Sequence, residues 1–116
     1  MSRRILITGA EGYIGRLLVE SLAGDPALEV VATDVRATRA PVPRVLHERL
    51  DITDAEGVAS AIARHAVDTV VHLAAIVTPR PGQDRASQYA VDVEGTRNVL
   101  AGCLAAGVAK FVYTSS

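Results

Sequence analysis

The chain has 116 residues, a formal net charge of −1 at pH 7 and 49% hydrophobic residues. This length suits one domain with one core, and the balanced charge gives no sign of binding to nucleic acid or to an anionic membrane surface. No signal peptide is recognisable before the first apolar run, and no run has membrane-spanning length, so a cytoplasmic location is expected.

Apolar runs of strand type alternate with helical patterns along the whole chain. Strands are predicted over 4–8, 29–34, 45–50, 69–73 and 110–114, and helices over 12–23, 54–65 and 85–106. Near-continuous apolar strands separated by helices predict a parallel sheet covered on both faces. We therefore expect a single α/β domain over residues 1–116, with a doubly wound, Rossmann-type sheet of five strands. Its expected strand order is 3-2-1-4-5, and the chain ends after the fifth strand.

The first strand leads into a glycine-rich turn and then a helix. Gly9 allows the chain to leave the strand sharply, and Gly15 allows the helix to lie close to the strand. Gly12 lacks a Cβ, so a diphosphate can approach the backbone, where the helix start offers N–H groups and a positive dipole end. This turn predicts a dinucleotide pyrophosphate site.

An acidic residue at the end of the second strand supports this prediction. Asp34 lies 34 − 15 = 19 positions after Gly15, where a carboxylate can accept hydrogen bonds from the adenosine ribose. Such a carboxylate favours NAD, because the 2′-phosphate of NADP would meet a like charge. Arg36 leaves an alternative open, since its guanidinium could hold that phosphate instead of lying in the loop or over adenine.

Motifs along the whole chain resemble those of the extended short-chain dehydrogenase/reductases, the NAD-dependent epimerase/dehydratase group. The motifs are T-G-x-x-G-x-x-G at 8–15, D-I-T-D at 51–54, H-L-A-A at 72–75, G-T-x-N-V-L at 95–100 and T-S-S at 114–116. The resemblance implies the cofactor-binding part of an oxidoreductase, epimerase or dehydratase that transfers a hydride to or from an alcohol. It also implies a small-molecule substrate such as a nucleotide sugar or uronate, and a homodimer.

The resemblance assigns roles to further residues. Asp51 accepts from the adenine amino group, and the N–H of Ile52 meets a ring nitrogen; the alternative for Asp51, a helix cap, is already supplied by Thr53 or Asp54. Ser116 matches the catalytic serine that hydrogen-bonds the reacting carbonyl or hydroxyl. The predicted cofactor-binding residues are Gly9, Glu11, Gly12, Tyr13, Ile14, Gly15, Asp34, Val35, Arg36, Asp51, Ile52, Leu73, Ala74 and Ala75.

The family's catalytic tyrosine and the lysine four residues after it have no counterpart in these 116 residues. Lys110 is the only lysine, and no tyrosine precedes it by four positions. A rival hypothesis is therefore a non-catalytic NAD-binding sensor or regulatory module. Asp92 also departs from the family, which commonly has asparagine there, and a carboxylate cannot donate a hydrogen bond unless it is protonated.

Other titratable residues are interpreted as structural. His72 lies inside an apolar strand and is expected to be a hydrogen-bonded core imidazole, whereas His47 and His65 are expected at the surface or an edge. Cys103 is expected to be a buried, reduced thiol. The segment 99–104 is expected to pack against the core and an interface. No spacing of histidine, cysteine and carboxylate residues indicates a metal site.

Overall fold

A computed structural model describes residues 3–74 and 85–114. The strands and helices follow the predicted order, with a loop and no helix between residues 34 and 45, and most ends differ from the predicted ones by about a residue. The strands are β1 (Arg3–Thr8), β2 (Leu28–Asp34), β3 (Val45–Arg49), β4 (Thr69–His72) and β5 (Lys110–Tyr113). The helices are α1 (Tyr13–Ala23), α2 (Ala55–Arg64), α3 (Arg85–Tyr89) and α4 (Thr96–Ala106).

The strands of the described residues form one parallel sheet in the order β3-β2-β1-β4-β5. The predicted doubly wound fold and strand order are confirmed. The strand order changes direction between β1 and β4, where Thr8 pairs with His72. The carboxyl ends of these two strands therefore border the crevice in which such sheets bind ligands.

The sheet is covered on both faces, which is why its central strands are apolar along their length. On one face, Leu6 and Val70 pack with Ile62 of α2 and Val99 of α4. On the other, α1 covers a cluster that includes Val19. This two-sided burial fixes β1 and β4, so the residues that follow them are held on a rigid base.

The long helix predicted over 85–106 is interrupted. Residues Ala90–Gly95 form a π-helical segment between α3 and α4, so the prediction of one continuous α-helix is wrong there. A π-helical turn accommodates an extra residue without breaking the hydrophobic face, so side-chain periodicity alone does not reveal it. At the end of this segment, the hydroxyl of Thr96, the first residue of α4, donates to the carbonyl oxygen of Asp92 at 2.8 Å.

The expected packing of 99–104 is correct only for part of the segment. Val99, Gly102 and Cys103 are buried, whereas Leu100 and Leu104 are exposed, the latter by 83%. Successive residues are about 100° apart around a helix, which directs these two leucines away from the sheet.

Cys103 is a free, buried thiol, as expected, and burial raises its pKa. Among residues 3–74 and 85–114, the structure contains no helix with the length and apolar character needed to cross a bilayer.

Candidate cofactor-binding site

Two of the turn glycines are required by the backbone itself. Gly9 has φ +71°, and a Cβ there would lie 2.7 Å from the backbone nitrogen of Ala74. A Cβ at Gly15 would lie 2.1 Å from the carbonyl oxygen of Gly9. A larger residue at Gly9 would push the turn away from the backbone that follows β4, and one at Gly15 would push α1 away from the turn.

Gly12 is different because a Cβ there would enter open space. Its nearest neighbour would be the Gly9 carbonyl oxygen at 3.4 Å, an ordinary contact. Gly12 is the N-cap of α1, and no side chain in the described part of the protein caps this helix start. The first turn of α1 therefore keeps backbone N–H groups available for an anion, in the place predicted for the diphosphate.

The side chains that open α1 are largely exposed. Tyr13 and Ile14 have exposed fractions of 81% and 57%, although both positions carry apolar side chains. Glu11, in contrast, has a side chain that is almost fully buried, 3.6 Å from Arg16. Its backbone N–H donates to Asp34 and so links the glycine turn to β2.

Asp34 is buried at the end of β2 and receives several hydrogen bonds. The backbone N–H groups of Glu11 and Arg36 donate to it at 3.0 and 2.9 Å, and the Arg36 guanidinium forms an ion pair with it at 3.2 Å. Burial acts to raise the pKa of the Asp34 carboxyl, but these hydrogen bonds outweigh it and lower the pKa below its ordinary value. The carboxylate is therefore charged and oriented before any ligand arrives. Val35, the next residue, is exposed, and its carbonyl oxygen accepts from Arg49.

A cavity of about 210 Å³ opens beside Asp34, and its lining includes Glu11, Arg36, Thr38 and His47. The hydroxyl oxygen of Thr38 is buried and has no hydrogen-bond partner among residues 3–74 and 85–114.

The loop that borders this cavity is held by side chains that sequence reasoning did not assign to the site. His47, expected only at the surface or an edge, accepts the N–H of Val42 at its Nε2 atom at 2.9 Å. Arg16 donates to the carbonyl oxygen of Ala40 at 2.8 Å. No sequence motif identifies either residue as part of the site, because each forms its hydrogen bond with the loop only in the folded chain.

Asp51 and Ile52 follow the carboxyl end of β3, at the same end of the sheet as Asp34. Oδ1 of Asp51 accepts the N–H and hydroxyl groups of Thr53, while Asp54 caps α2 by accepting from Gly57. Ile52 buries its side chain in the core, yet within the described residues its N–H donates no hydrogen bond. This N–H is thus available to a ligand atom, as the adenine assignment requires.

His72 is fully buried and its ring nitrogens bond two threonines. Nδ1 lies 2.7 Å from the hydroxyl of Thr8, and Nε2 lies 2.9 Å from the hydroxyl of Thr96. The Thr8 oxygen also accepts the N–H groups of Leu73 and Ala74. The expected structural role of His72 agrees with these contacts, which fix the backbone beside Gly9.

Two predicted site residues, Ala75 and Ser116, lie outside the described residues. Within the residues that are described, no group of three or more histidine, cysteine or carboxylate side chains could hold a metal ion.

Comparisons with known proteins agree with this geometry. The model of the NAD dependent epimerase/dehydratase family matches residues 5–116. The 3-beta-hydroxysteroid dehydrogenase of Mycolicibacterium neoaurum is 38% identical, over 97% of this chain and 32% of the relative. The L-arabinose 1-dehydrogenase (NAD(P)(+)) of Haloferax volcanii is 36% identical, over 97% of this chain and 41% of the relative.

A solved structure shares the same architecture. A mutant of uronate dehydrogenase from Agrobacterium tumefaciens in complex with NAD superposes with a TM-score of 0.84 at 27% identity, over 100% of this chain and 42% of that one. The chain thus spans between about a third and two fifths of the length of these proteins. With the family model matching residues 5–116, the chain belongs to the NAD dependent epimerase/dehydratase family.

Proposed function

We propose that residues 1–116 form the NAD-binding part of an oxidoreductase or epimerase that acts on a sugar, nucleotide sugar, uronate or similar alcohol. The observation that carries this proposal is the pairing of an open glycine at a helix start with a pre-oriented carboxylate on the next strand. When bound, NAD supplies a hydride acceptor at its nicotinamide ring.

The residues on either side of the crevice suit different parts of this cofactor. Gly12 and the first turn of α1 bind the diphosphate, with Tyr13 and Ile14 beside it, and Asp34 binds the adenosine ribose. Asp51 and the N–H of Ile52 bind adenine. Leu73 and Ala74 border the nicotinamide side, where Thr8 fixes their backbone.

We further propose a preference for NAD over NADP. The carboxylates of Asp34 and Glu11 both lie at the turn, and each side chain is almost fully buried. A 2′-phosphate on the adenosine ribose would face these charges where water screens them poorly.

Replacing Asp34 by alanine tests the ribose assignment. We expect NAD binding to weaken by about 1–3 kcal/mol, the order of hydrogen bonds lost from a charged acceptor. Isothermal titration calorimetry with the full-length protein measures this change, and Asp25→Ala, which removes a carboxylate in the turn that precedes β2, is the matched control. Equal NAD affinity in wild type and Asp34→Ala would refute the ribose role.

The proposed catalytic role of Ser116 is to donate a hydrogen bond to the reacting oxygen. The proton transfer needs a tyrosine and lysine pair, which we place in a further part of the intact protein. The sensor hypothesis is the alternative. Measuring the reduction of NAD by the intact protein with a panel of sugar alcohols and uronates distinguishes the enzyme from the sensor, since a sensor binds NAD without turnover.

An apolar stripe supports the proposal of a homodimer. Tyr89, Val93, Leu100 and Leu104 recur at helical spacing along α3, the π-helical segment and α4, and all are exposed. We expect Leu104→Glu to raise the dimer dissociation constant at least about tenfold, because burying one leucine contributes about 1.5–3 kcal/mol. Sedimentation equilibrium measures it, with Ala105→Glu on an adjacent exposed position as control. An unchanged dissociation constant in the leucine variant would place the interface elsewhere.

A further inference from the structure

Every acceptor position of the Asp34 carboxylate is filled by a donor of the protein itself. A carboxylate offers about four lone-pair positions, two on each oxygen. Oδ1 accepts from the backbone N–H and the Nε of Arg36, at 2.9 and 3.2 Å. Oδ2 accepts from the backbone N–H of Glu11 at 3.0 Å and from the terminal nitrogen of Arg36 at 3.4 Å.

These four donors fall into two kinds. The backbone N–H groups of Glu11 and Arg36 belong to the glycine turn and to the end of β2, so the fold holds them in place. The other two donors come from one guanidinium, which places one N–H on each carboxylate oxygen. A ribose diol would also present two donors to this carboxylate. The acceptor positions it could take are the two occupied by the guanidinium, because the backbone N–H groups occupy the other two.

The two partners of this ion pair differ in their freedom to move. The Asp34 side chain is 6% exposed and the Arg36 side chain is 47% exposed. Leaving two acceptor positions of the nearly buried carboxylate unfilled would be unfavourable, so the guanidinium stabilises the ligand-free protein. Because it lies at the surface, it can leave into solvent when other donors arrive.

We infer that the Arg36 side chain is an internal competitor of the cofactor, occupying the ribose-diol positions on Asp34 until the adenosine ribose displaces it. This inference rests on the proposed binding of the adenosine ribose at Asp34. Arg36 thereby lowers the affinity for the cofactor instead of contributing to it, because only the fraction of protein with the pair open is competent to bind.

The test compares two probes, ADP and 2′,3′-dideoxy-ADP, by calorimetry with the full-length protein. Ion pairs with an exposed partner are weak, so we expect Arg36→Met to bind ADP about two- to fivefold more tightly than wild type. The dideoxy probe has no ribose hydroxyls and does not displace Arg36. The ratio of the two affinities should therefore rise in the variant by the same two- to fivefold.

Arg39→Met is the matched control, because it removes the same charge from the same loop. Among the described residues, Arg39 has no hydrogen bond or ion pair with Asp34. The ratio of ADP to dideoxy-ADP affinity in Arg39→Met should equal that of wild type. This result would distinguish competition by Arg36 from a general attraction between arginine and anions. Arg36→Lys keeps the charge without a planar pair of donors and should raise the ratio by less than methionine does.

The outcomes distinguish the inference from the function on which it rests. An affinity ratio in Arg36→Met that equals or falls below that of wild type would overturn the competitor role, even where wild type binds ADP well. An Arg36→Met protein that binds ADP and dideoxy-ADP equally would overturn the ribose assignment of Asp34, and the competitor role with it, because no guanidinium then opposes the ribose hydroxyls.

Discussion

Replacing Gly12 by valine will abolish detectable NAD binding while the protein remains folded. Gly12 has φ −76° and ψ 173°, a region that valine adopts readily, and a Cβ there meets only one atom at an ordinary distance. The valine side chain would instead occupy the space through which the diphosphate reaches the first turn of α1. Losing two charge-assisted hydrogen bonds lowers affinity by about 100-fold or more.

The control for this variant is Gly24→Val at the other end of α1. A Cβ at Gly24 also meets a single atom, a carbonyl oxygen at 3.5 Å, so both variants test valine in open surroundings. Calorimetry with NAD and thermal unfolding should show two folded variants, of which only Gly24→Val binds. Normal NAD binding by Gly12→Val would mean that the diphosphate does not lie over this turn. Gly15 is unsuitable for this test, because its Cβ would collide with the Gly9 backbone.

The features predicted correctly from the sequence depend on local signals. The apolar runs fix which segments are strands, and the rules for right-handed crossovers then leave few strand orders. The roles predicted for Gly9 and Gly15 agree with a positive φ and a close backbone approach, because glycine spacing in a turn encodes both. Asp34 ends β2 as predicted, because its position follows from the length of one βαβ unit.

The features that sequence reasoning missed depend on contacts made only in the folded chain. The pairing of Arg36 with both oxygens of Asp34 needs the exact turn after β2, and a two-residue spacing alone does not specify it. The hydrogen bond from Val42 to His47 joins a loop to β3, and the periodicity of apolar residues does not predict how these two segments are placed relative to each other. The sequence pattern also does not reveal the π-helical segment 90–95, because an inserted residue leaves the apolar pattern nearly unchanged.

The hydrogen bonds around His72 determine its tautomer. The Thr8 oxygen accepts two backbone N–H groups, so its own hydrogen is donated to Nδ1 of His72. The Thr96 hydroxyl donates to the carbonyl oxygen of Asp92, so it accepts the hydrogen on Nε2. His72 is therefore a neutral imidazole with its hydrogen on Nε2, and a second ring hydrogen would point at the Thr8 hydroxyl with no acceptor.

This arrangement makes the folded protein sensitive to acid. Burial lowers the pKa of His72 to about 4, from 6.5 in the unfolded chain. As the pH falls below 6.5, His72 becomes protonated in the unfolded chain but stays neutral in the folded protein. The free energy of unfolding therefore decreases until the pH reaches about 4. We expect a loss of about 2 kcal/mol in the free energy of unfolding between pH 7 and pH 5, since one pKa unit corresponds to about 1.4 kcal/mol.

The variant His72→Gln isolates this contribution. Glutamine is neutral at both pH values, and its amide can accept from Thr8 and donate to Thr96, so much of the network is kept. Urea unfolding at pH 7 and pH 5 should show the loss of about 2 kcal/mol in wild type and its near absence in the variant. His47 and His65 are present in both proteins, so their effects cancel in the comparison. An equal loss in the two proteins would mean that His72 does not remain neutral in the folded state.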